Sequence, residues 1–157
     1  MTKAKQLSAD FTIRPVESED FQEWAKLWRG YNEFYGRPNF STEITRLTWC
    51  RFLDVNEPVH ALVADCEGVL LGLAHYLFHP STILAGPTCY LQDLFTHNAA
   101  RRRGVGRALI ESVYERARSG GAKRVYWQTH DTNRSAMALY DQLAERSGFI
   151  VYRKELE

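Results

Sequence analysis

Apolar residues recur with two different periods in the first third of the chain. Residues 11–16 alternate between apolar and polar side chains, which is typical of a half-buried β-strand. An acidic helix start follows at Ser18, and an apolar stripe then appears at i, i+3, i+4 and i+7 spacing, formed by Trp24, Leu27, Trp28 and Tyr31. The pattern predicts one helix ending near Gly36 and Pro38, and a second over residues 41–56.

The remaining pattern first favours strands and then alternates strands with helices. Residues 59–65 and 69–78 form a predicted hairpin around Glu67-Gly68. Further strands are predicted at 89–96, 124–129 and 149–154, and further helices at 108–117 and 133–147. We therefore predict an α/β fold with a mixed sheet of the α+β kind, and with helices on both faces of that central sheet.

Length and composition limit the class of protein. A chain of 157 residues is one domain, and we assign it to residues 11–157, after a loose polar tail over residues 1–10 that resembles neither a signal peptide nor a membrane span. The net charge of +1 argues against general nucleic-acid binding. The three cysteines show no pairing pattern, which predicts a reducing cytoplasm, and the five histidines show no metal-ligand spacing.

Two glycines and four arginines stand between the predicted strand 89–96 and the predicted helix 108–117. The run consists of Arg101, Arg102, Arg103, Gly104, Val105, Gly106 and Arg107. Glycines allow a tight turn and close ligand approach, and the first turn of a helix offers unpaired N–H groups to an anion. A Walker loop would need Lys-Ser/Thr where Arg107-Ala108 stands, and a dinucleotide fingerprint would need glycine where Leu109 stands. The segment therefore predicts a phosphate or pyrophosphate site.

This run resembles the R/Q-x-x-G-x-G/A pyrophosphate loop of the GCN5-related N-acetyltransferases (GNAT), with Arg101, Gly104 and Gly106 at the defining positions. Asn133, Ala136, Tyr140 and Gly148-Phe149 resemble the family's second signature. Residues 21–36 resemble the first helix of the subgroup that contains the yeast Hpa2 and Hpa3 enzymes. Residues 90–95 resemble the central strand of that subgroup and of the diamine acetyltransferases. The resemblance implies a splayed sheet and an enzyme that uses acetyl-CoA.

The resemblance also implies which residues hold the cofactor. Backbone N–H groups from Arg102 to Arg107 would bind the pyrophosphate, with arginine side chains at the rim. Leu94, Phe95 and Thr96 would present a strand edge to the pantetheine arm, and an N–H group of Leu94 or Phe95 would face the thioester oxygen. Asn133 and Ser135, at the start of the last helix, would add polar contacts, although asparagine is also an ordinary helix N-cap residue.

The catalytic residues are less fully specified. Tyr140 stands where the family has its general acid, although it also belongs to an apolar helical stripe that is typical of core residues. Gln92 occupies the position at which the diamine acetyltransferases carry a glutamate base, and glutamine cannot accept a proton. Asp93 is adjacent, but strand alternation points it to the other face unless a bulge turns it. A water chain, a substitute acid (Asp93, Glu33 or Asp131) or an acceptor of low pKa remain as alternatives.

Three functions follow from these observations. The first is transfer of an acetyl group to a primary amine of a small molecule, such as an amino acid or a polyamine. The second is acetylation of protein lysines or N-termini, and the third is a non-catalytic acyl-CoA-binding domain. The partners expected are a small amine and a second copy of the chain, paired through residues 149–154, with neither nucleic acid nor membrane.

Overall fold

The computed structural model describes residues 11–157, so the predicted tail over residues 1–10 lies outside the described part of the chain. These residues divide into two compact units. The first ends at Trp127, and the second begins at Gln128. In the first unit, five strands form one sheet in the order β1-β2-β3-β4-β5. The strands are β1 (Thr12–Pro15), β2 (Val59–Cys66), β3 (Val69–His79), β4 (Thr88–Thr96) and β5 (Arg124–Tyr126). Only β4 and β5 run parallel, so the sheet is mixed, as the sequence predicts.

Three helices of the first unit pack on this sheet: α1 (Phe21–Phe34), α2 (Thr42–Leu53) and α3 (Val105–Ser119). Neighbouring positions of β3 show which face each helix covers. Leu73 belongs to the core cluster that contains Trp24 and Trp28 of α1. A side chain on the adjacent Gly72 would instead meet Val105 and Leu109 of α3 at 2.9 and 3.1 Å. Because successive strand residues face opposite sides, α1 and α3 lie on opposite faces of the sheet.

Helix α1 approaches the sheet closely at Gly30. A Cβ atom built on Gly30 would lie 2.9 Å from Cζ of Phe95 in β4, which is shorter than any ordinary carbon contact. The neighbouring turns of α1 bury Trp24, Leu27 and Tyr31 at the apolar positions that the sequence pattern predicts. The glycine therefore lets a helix whose core face carries large aromatic rings lie against β4.

The end of α1 is fixed by a hydrogen-bond pattern that requires a glycine. Gly36 has a φ of +74°, in the left-handed region. Its N–H donates to the Glu33 carbonyl, while the N–H of Arg37 donates to the Asn32 carbonyl at 2.8 Å. This pair of bonds is the Schellman motif, which closes the carbonyl end of a helix. The turn at Gly36 that the sequence predicts is therefore a defined helix terminus.

Residues 128–157 form the second unit, and its one regular element is α4 (Arg134–Leu143). The sequence prediction of a helix to residue 147 is wrong, because Ala144 adopts an extended backbone with φ −152°. The predicted strand 149–154 is also wrong. Residues 144–157 form no strand, and Phe149 and Tyr152 are 90% and 89% exposed. A strand exists only when a neighbour accepts its backbone hydrogen bonds, and this segment has none among the described residues.

An ion-pair network joins β1 to the start of α1, and it gives a pH-dependent prediction. Arg14 donates to Asp20 at 2.7 and 2.9 Å and to Asp65 at 2.9 Å. Replacing Arg14 with methionine should lower the free energy of unfolding at pH 7 by about 1–2 kcal/mol. The hydrogen bond from Arg14 lowers the pKa of Asp20, so this stabilisation is present above the unfolded pKa and is lost as the pH falls.

Urea unfolding of both proteins between pH 7 and pH 3 checks this prediction. The difference in unfolding free energy between wild type and Arg14→Met should shrink toward the acid end. A difference that stays constant over that range would show that Arg14 stabilises the fold by packing rather than by charge.

Candidate functional site

The predicted anion loop has the backbone geometry that its glycines suggest. Gly104 precedes α3 with a φ of +80°, and α3 begins at Val105. The first hydrogen bond of the helix runs from the N–H of Ala108 to the Gly104 carbonyl, at 3.0 Å. The N–H groups of Val105 and Gly106 precede that bond, so they have no acceptor inside the helix. The helix therefore presents its positive end and backbone N–H donors at one place.

The side chains around this turn add positive charge. Arg101, Arg102 and Arg103 are exposed, and Arg102 adopts a left-handed φ of +63°. Val105, in contrast, is 1% exposed and anchors the first turn of α3 in the core. A diphosphate needs backbone donors together with nearby cations, and this loop offers both. The donor set thus fits the pyrophosphate of coenzyme A.

The sheet opens beside β4, as the family resemblance implies. Strand β5 pairs with β4 only at Thr88, Cys89 and Tyr90. Beyond Tyr90, β4 runs on to Thr96 with β3 on one side and no strand of the described chain on the other. Leu94, Phe95 and Thr96 lie in this open stretch, so their outward main-chain groups can pair with an extended ligand.

A bulge in β4 determines on which face of the sheet the side chain of Asp93 lies. His75 of β3 pairs with Asp93, but the next residue, Tyr76, pairs with Leu91, so Gln92 is the extra residue. The extra residue breaks the alternation of side chains along the strand. As a result, Gln92 and Asp93 both line one cavity on the α1 face of the sheet. Simple alternation would have sent one of them to the α3 face.

Asp93 accepts two hydrogen bonds inside the protein. Tyr31 donates its hydroxyl to Oδ1 at 2.7 Å, and Nδ1 of His75 lies 2.9 Å from Oδ2. The other ring nitrogen of His75 lies 3.0 Å from Nε1 of Trp24. An indole N–H can only donate, so Nε2 of His75 must accept and Nδ1 must carry the proton toward Asp93. His75 is therefore neutral and donates to the carboxylate.

Tyr31 is held in its protonated form. Burial raises the pKa of Tyr31 most, the charge of Asp93 raises it further, and Arg37 lowers it by a smaller amount. A phenol with a raised pKa keeps its proton at neutral pH and remains a donor to Asp93. Two neutral donors thus orient the carboxylate, and its side chain keeps 12% of its surface exposed.

The cavity that Asp93 lines has a volume of about 450 Å³, and we call it the Asp93 cavity. Its apolar wall is formed by aromatic and aliphatic side chains, among them Trp28, Phe40, Phe52 and Leu77. Its charged groups are Asp93, Glu57, Arg37 and Arg51, of which Arg51 and Glu57 approach one another at 3.9 Å. A site of this size with a few polar groups suits a small organic molecule.

Two tryptophans of α1 differ in their hydrogen bonding, and this difference gives a matched prediction. Nε1 of Trp24 donates to His75, whereas the buried Nε1 of Trp28 has no hydrogen-bond partner among the described residues. Trp24→Phe should therefore lower the free energy of unfolding by about 1–3 kcal/mol more than Trp28→Phe, because it leaves Nε2 of His75 unpaired in the core. Urea unfolding of the two variants measures the difference. Equal losses would mean that only the volume of the indole ring matters.

The other residues named from the sequence lie in different parts of the chain. Tyr140, in α4, is half-buried, and Ser135 is exposed in the first turn of α4. Asn133 precedes α4, but its side chain makes no capping bond and donates to Thr129 Oγ1 at 3.1 Å. Of the alternative acids, Glu33 is exposed, and Asp131 lies 3.1 Å from His130 with 92% of its side chain exposed. Asp93 alone of these three acids lines the Asp93 cavity.

Three residues of this site were not predicted from the sequence: His75, Asn32 and Arg37. His75 and Asn32 are each 1% exposed. A single histidine within the apolar run of β3 was the available signal for His75, because a polar side chain in a buried strand needs a partner. Asn32 and Arg37 gave no such signal, since their roles depend on the turn at Gly36.

The sequence of this chain is similar to those of several known proteins. The model of the acetyltransferase (GNAT) family matches residues 21–144. The D-amino-acid N-acetyltransferase HPA3 of Saccharomyces cerevisiae is 34% identical over 152 residues, which cover 96% of this chain and 94% of that protein. The thialysine N-epsilon-acetyltransferase of Caenorhabditis elegans is 30% identical over 105 residues, which cover 64% of this chain and 65% of that protein.

Solved structures show the same fold. The aminoglycoside acetyltransferase AAC(6')-Iy, in complex with a bisubstrate analogue of coenzyme A, superposes with a TM-score of 0.78 at 20% identity. That match covers 93% of this chain and 99% of the other. A transcriptional regulator from Bacillus halodurans gives a TM-score of 0.82 at 18% identity, covering 93% and 99% of the two chains.

Proposed function

The chain belongs to the acetyltransferase (GNAT) family and is an acetyl-CoA-dependent N-acetyltransferase, and on this premise we propose that its acceptor is a small primary amine bound in the Asp93 cavity. The observation that carries the proposal is the pair of hydrogen bonds that Tyr31 and His75 donate to Asp93. They orient a carboxylate in a cavity with an apolar wall, where an ammonium group would be its natural partner. The relatives named for D-amino acids and for thialysine support an acceptor of this size.

The cofactor is held by main-chain groups. Backbone N–H groups of residues 102–107 bind the pyrophosphate, and the exposed side chains of Arg101, Arg102 and Arg103 surround it. The open edge of β4 at Leu94, Phe95 and Thr96 pairs with the pantetheine arm. An N–H group of Leu94 or Phe95 donates to the thioester oxygen and stabilises the charge that develops there. Acetyl-CoA supplies the acetyl group as a thioester.

Asp93 takes the proton that the acceptor must lose. The ammonium group of the acceptor first gives one proton to Asp93, which passes it to solvent. The neutral nitrogen then attacks the thioester carbon, a C–N bond forms, the C–S bond breaks, and Asp93 accepts the second proton from nitrogen. Gln92, beside Asp93 in the bulge, cannot take a proton. In this proposal the carboxylate lies one residue further along the strand than the glutamate of the diamine acetyltransferases, which Gln92 replaces.

Tyr140 protonates the departing thiolate. This role comes from the match of Asn133, Ala136 and Tyr140 to the family's second signature. Asn133, just before α4, and Ser135, in its first turn, bind the polar groups of the pantetheine arm. The phenol regains its proton from solvent at the end of each turnover.

A screen of acetyl-CoA consumption tests the proposal. The acceptors are L- and D-amino acids, diamines and polyamines, and lysine peptides, and free coenzyme A is measured with a thiol reagent. Turnover with small amines and little with peptides is expected. Activity with peptides alone would indicate a protein substrate. Arg103→Glu serves as a second variant, because a negative charge beside the pyrophosphate should raise the Kd for acetyl-CoA about tenfold.

The protein functions in the cytoplasm as a homodimer in this proposal. Its three cysteines are free thiols, and burial raises the pKa of Cys89 to about 11, so that thiol is unreactive. Residues 149–152 carry exposed apolar side chains, which a second copy would cover. Light scattering of the full chain and of a chain ending at residue 148 measures the pairing. A dimer that survives the truncation would place the interface elsewhere.

A further inference from the structure

We propose that Arg37 binds the carboxylate of the acceptor, so that the enzyme selects amino acids over simple amines and polyamines. The inference rests on the proposed function, since it concerns the second charged wall of the same Asp93 cavity.

The guanidinium of Arg37 is fixed before any ligand arrives. Its Nε donates to Oδ1 of Asn32 at 2.9 Å, and Nδ2 of Asn32 donates to the Trp28 carbonyl at 2.8 Å. Asn32 is 1% exposed, so this anchor belongs to the core. The backbone of Arg37 is held as well, because its N–H completes the Schellman motif at the end of α1.

Aromatic rings surround the same guanidinium. Its Cζ lies 5.9 Å from the ring centre of Tyr31, 5.8 Å from that of Tyr35 and 5.9 Å from that of Phe40. Rings at this distance favour a cation and limit the directions that it can take. Apart from the hydroxyls of Tyr31 and Tyr35, these rings carry no oxygen that could accept a hydrogen bond from the terminal nitrogens of Arg37.

The two terminal nitrogens of Arg37 make no hydrogen bond or ion pair within residues 11–157. With Nε occupied, the pair Nη1 and Nη2 forms a planar fork, and a carboxylate is the group that matches a fork of two N–H donors. A preorganised fork binds more tightly than a mobile one, because less side-chain entropy is lost. The structure therefore contains a carboxylate receptor with its own buried support.

A single side chain, Tyr31, contacts two of the charged groups of the cavity, Arg37 and Asp93. Arg37 stacks near the ring of Tyr31, and the hydroxyl of the same Tyr31 donates to Asp93 at 2.7 Å. An acceptor with an ammonium and a carboxylate can thus satisfy Asp93 and Arg37 together. A polyamine would place a second ammonium near Arg37, and like charges in a partly desolvated site repel. Arg51 competes less for the carboxylate, since Glu57 lies 3.9 Å from it.

Steady-state kinetics with matched acceptors test the inference. Phenylalanine of either hand is compared with phenethylamine, and lysine with cadaverine, so that each pair differs by the carboxylate. For wild type, kcat/KM should favour the amino acid in at least one pair. Arg37→Gln should raise KM for that amino acid about 10- to 100-fold and leave KM for its amine partner unchanged or lower. Arg37→Lys keeps the charge but not the fork. Its KM for the amino acid should lie between those of wild type and Arg37→Gln.

Arg46→Gln is the matched control, since Arg46 is an exposed residue of α2 outside the cavity lining. It should leave both KM values unchanged. Circular dichroism and the Kd for acetyl-CoA establish that each variant is folded. Equal rises of KM for the amine and the amino acid in Arg37→Gln would make Arg37 a helix-terminating residue only. Wild type that acetylates amines with no preference for a carboxylate would also overturn the inference, while leaving the proposed function intact. Absence of turnover with every amine and amino acid would overturn both.

Discussion

Replacing Asp93 with asparagine is expected to lower kcat about 10²- to 10⁴-fold, the usual contribution of a general base. The amide is nearly isosteric with the carboxylate, so the cavity keeps its shape. It has one oxygen to accept from Tyr31 or His75 and cannot take a proton from the amine. The Kd for acetyl-CoA should stay close to the wild-type value, because the Gly104 turn is untouched. Initial rates at saturating acceptor, together with a direct binding measurement, separate these two effects.

Two other acids provide controls for Asp93→Asn. Glu33→Gln and Asp131→Asn each remove an exposed carboxylate that the sequence alone offered as a substitute base. Both variants should retain the wild-type kcat. If either loses activity to the extent expected of Asp93→Asn, the proton follows a different route. If Asp93→Asn retains full activity, the proton leaves through water and Asp93 only orients the acceptor.

Tyr140→Phe is the second variant with a large expected effect. Removing the hydroxyl should lower kcat about 10²-fold or more, because the thiolate then departs without a proton donor. The ring remains, so the half-buried packing of Tyr140 in α4 is preserved. The Kd for acetyl-CoA should change little. Stopped-time measurement of free thiol under saturating conditions gives kcat directly.

Tyr152→Phe is the matched control for this second variant, since Tyr152 lies in the same unit of the chain and is 89% exposed. It should turn over as wild type does. Unchanged kcat in Tyr140→Phe would assign the residue to the apolar stripe of α4, and another donor would then protonate the thiolate.

Periodicity and short-range chemistry were sufficient to predict much of the sheet and all four helices, with the end of α4 placed too late. The apolar stripe of α1, the hairpin of β2 and β3 and the start of α3 each depend on neighbours in sequence, so local pattern carries them. The Gly104 turn belongs to this group, because a glycine at a left-handed position before an amphipathic helix is a local signal. The mixed fold followed from the order of these elements.

The bulge at Gln92 could not be predicted in the same way. It depends on how β4 aligns with β3, where Asp93 pairs with His75 and Leu91 pairs with Tyr76. Strand register is set by long-range packing, and a slip of one residue reverses every side chain. The sequence therefore left Asp93 with two possible directions. The predicted strand 149–154 is wrong for a related reason, because a run of apolar and aromatic residues forms a strand only beside a partner, and this segment has none in the described chain.

The close approach at Gly30 makes the hydrogen bond between Tyr31 and Asp93 depend on a residue that has no side chain. Glycine inside a helix destabilises it by about 0.5–1 kcal/mol relative to alanine. In α1 the missing side chain of Gly30 permits a close approach to Phe95, and the following residue, Tyr31, then reaches Asp93. A methyl group at position 30 would act as a spacer between helix and strand. It would lengthen the bond that aims the carboxylate and displace the end of α1, from which Arg37 extends. The absence of a side chain at position 30 thus helps to set the positions of Asp93 and Arg37 in the Asp93 cavity.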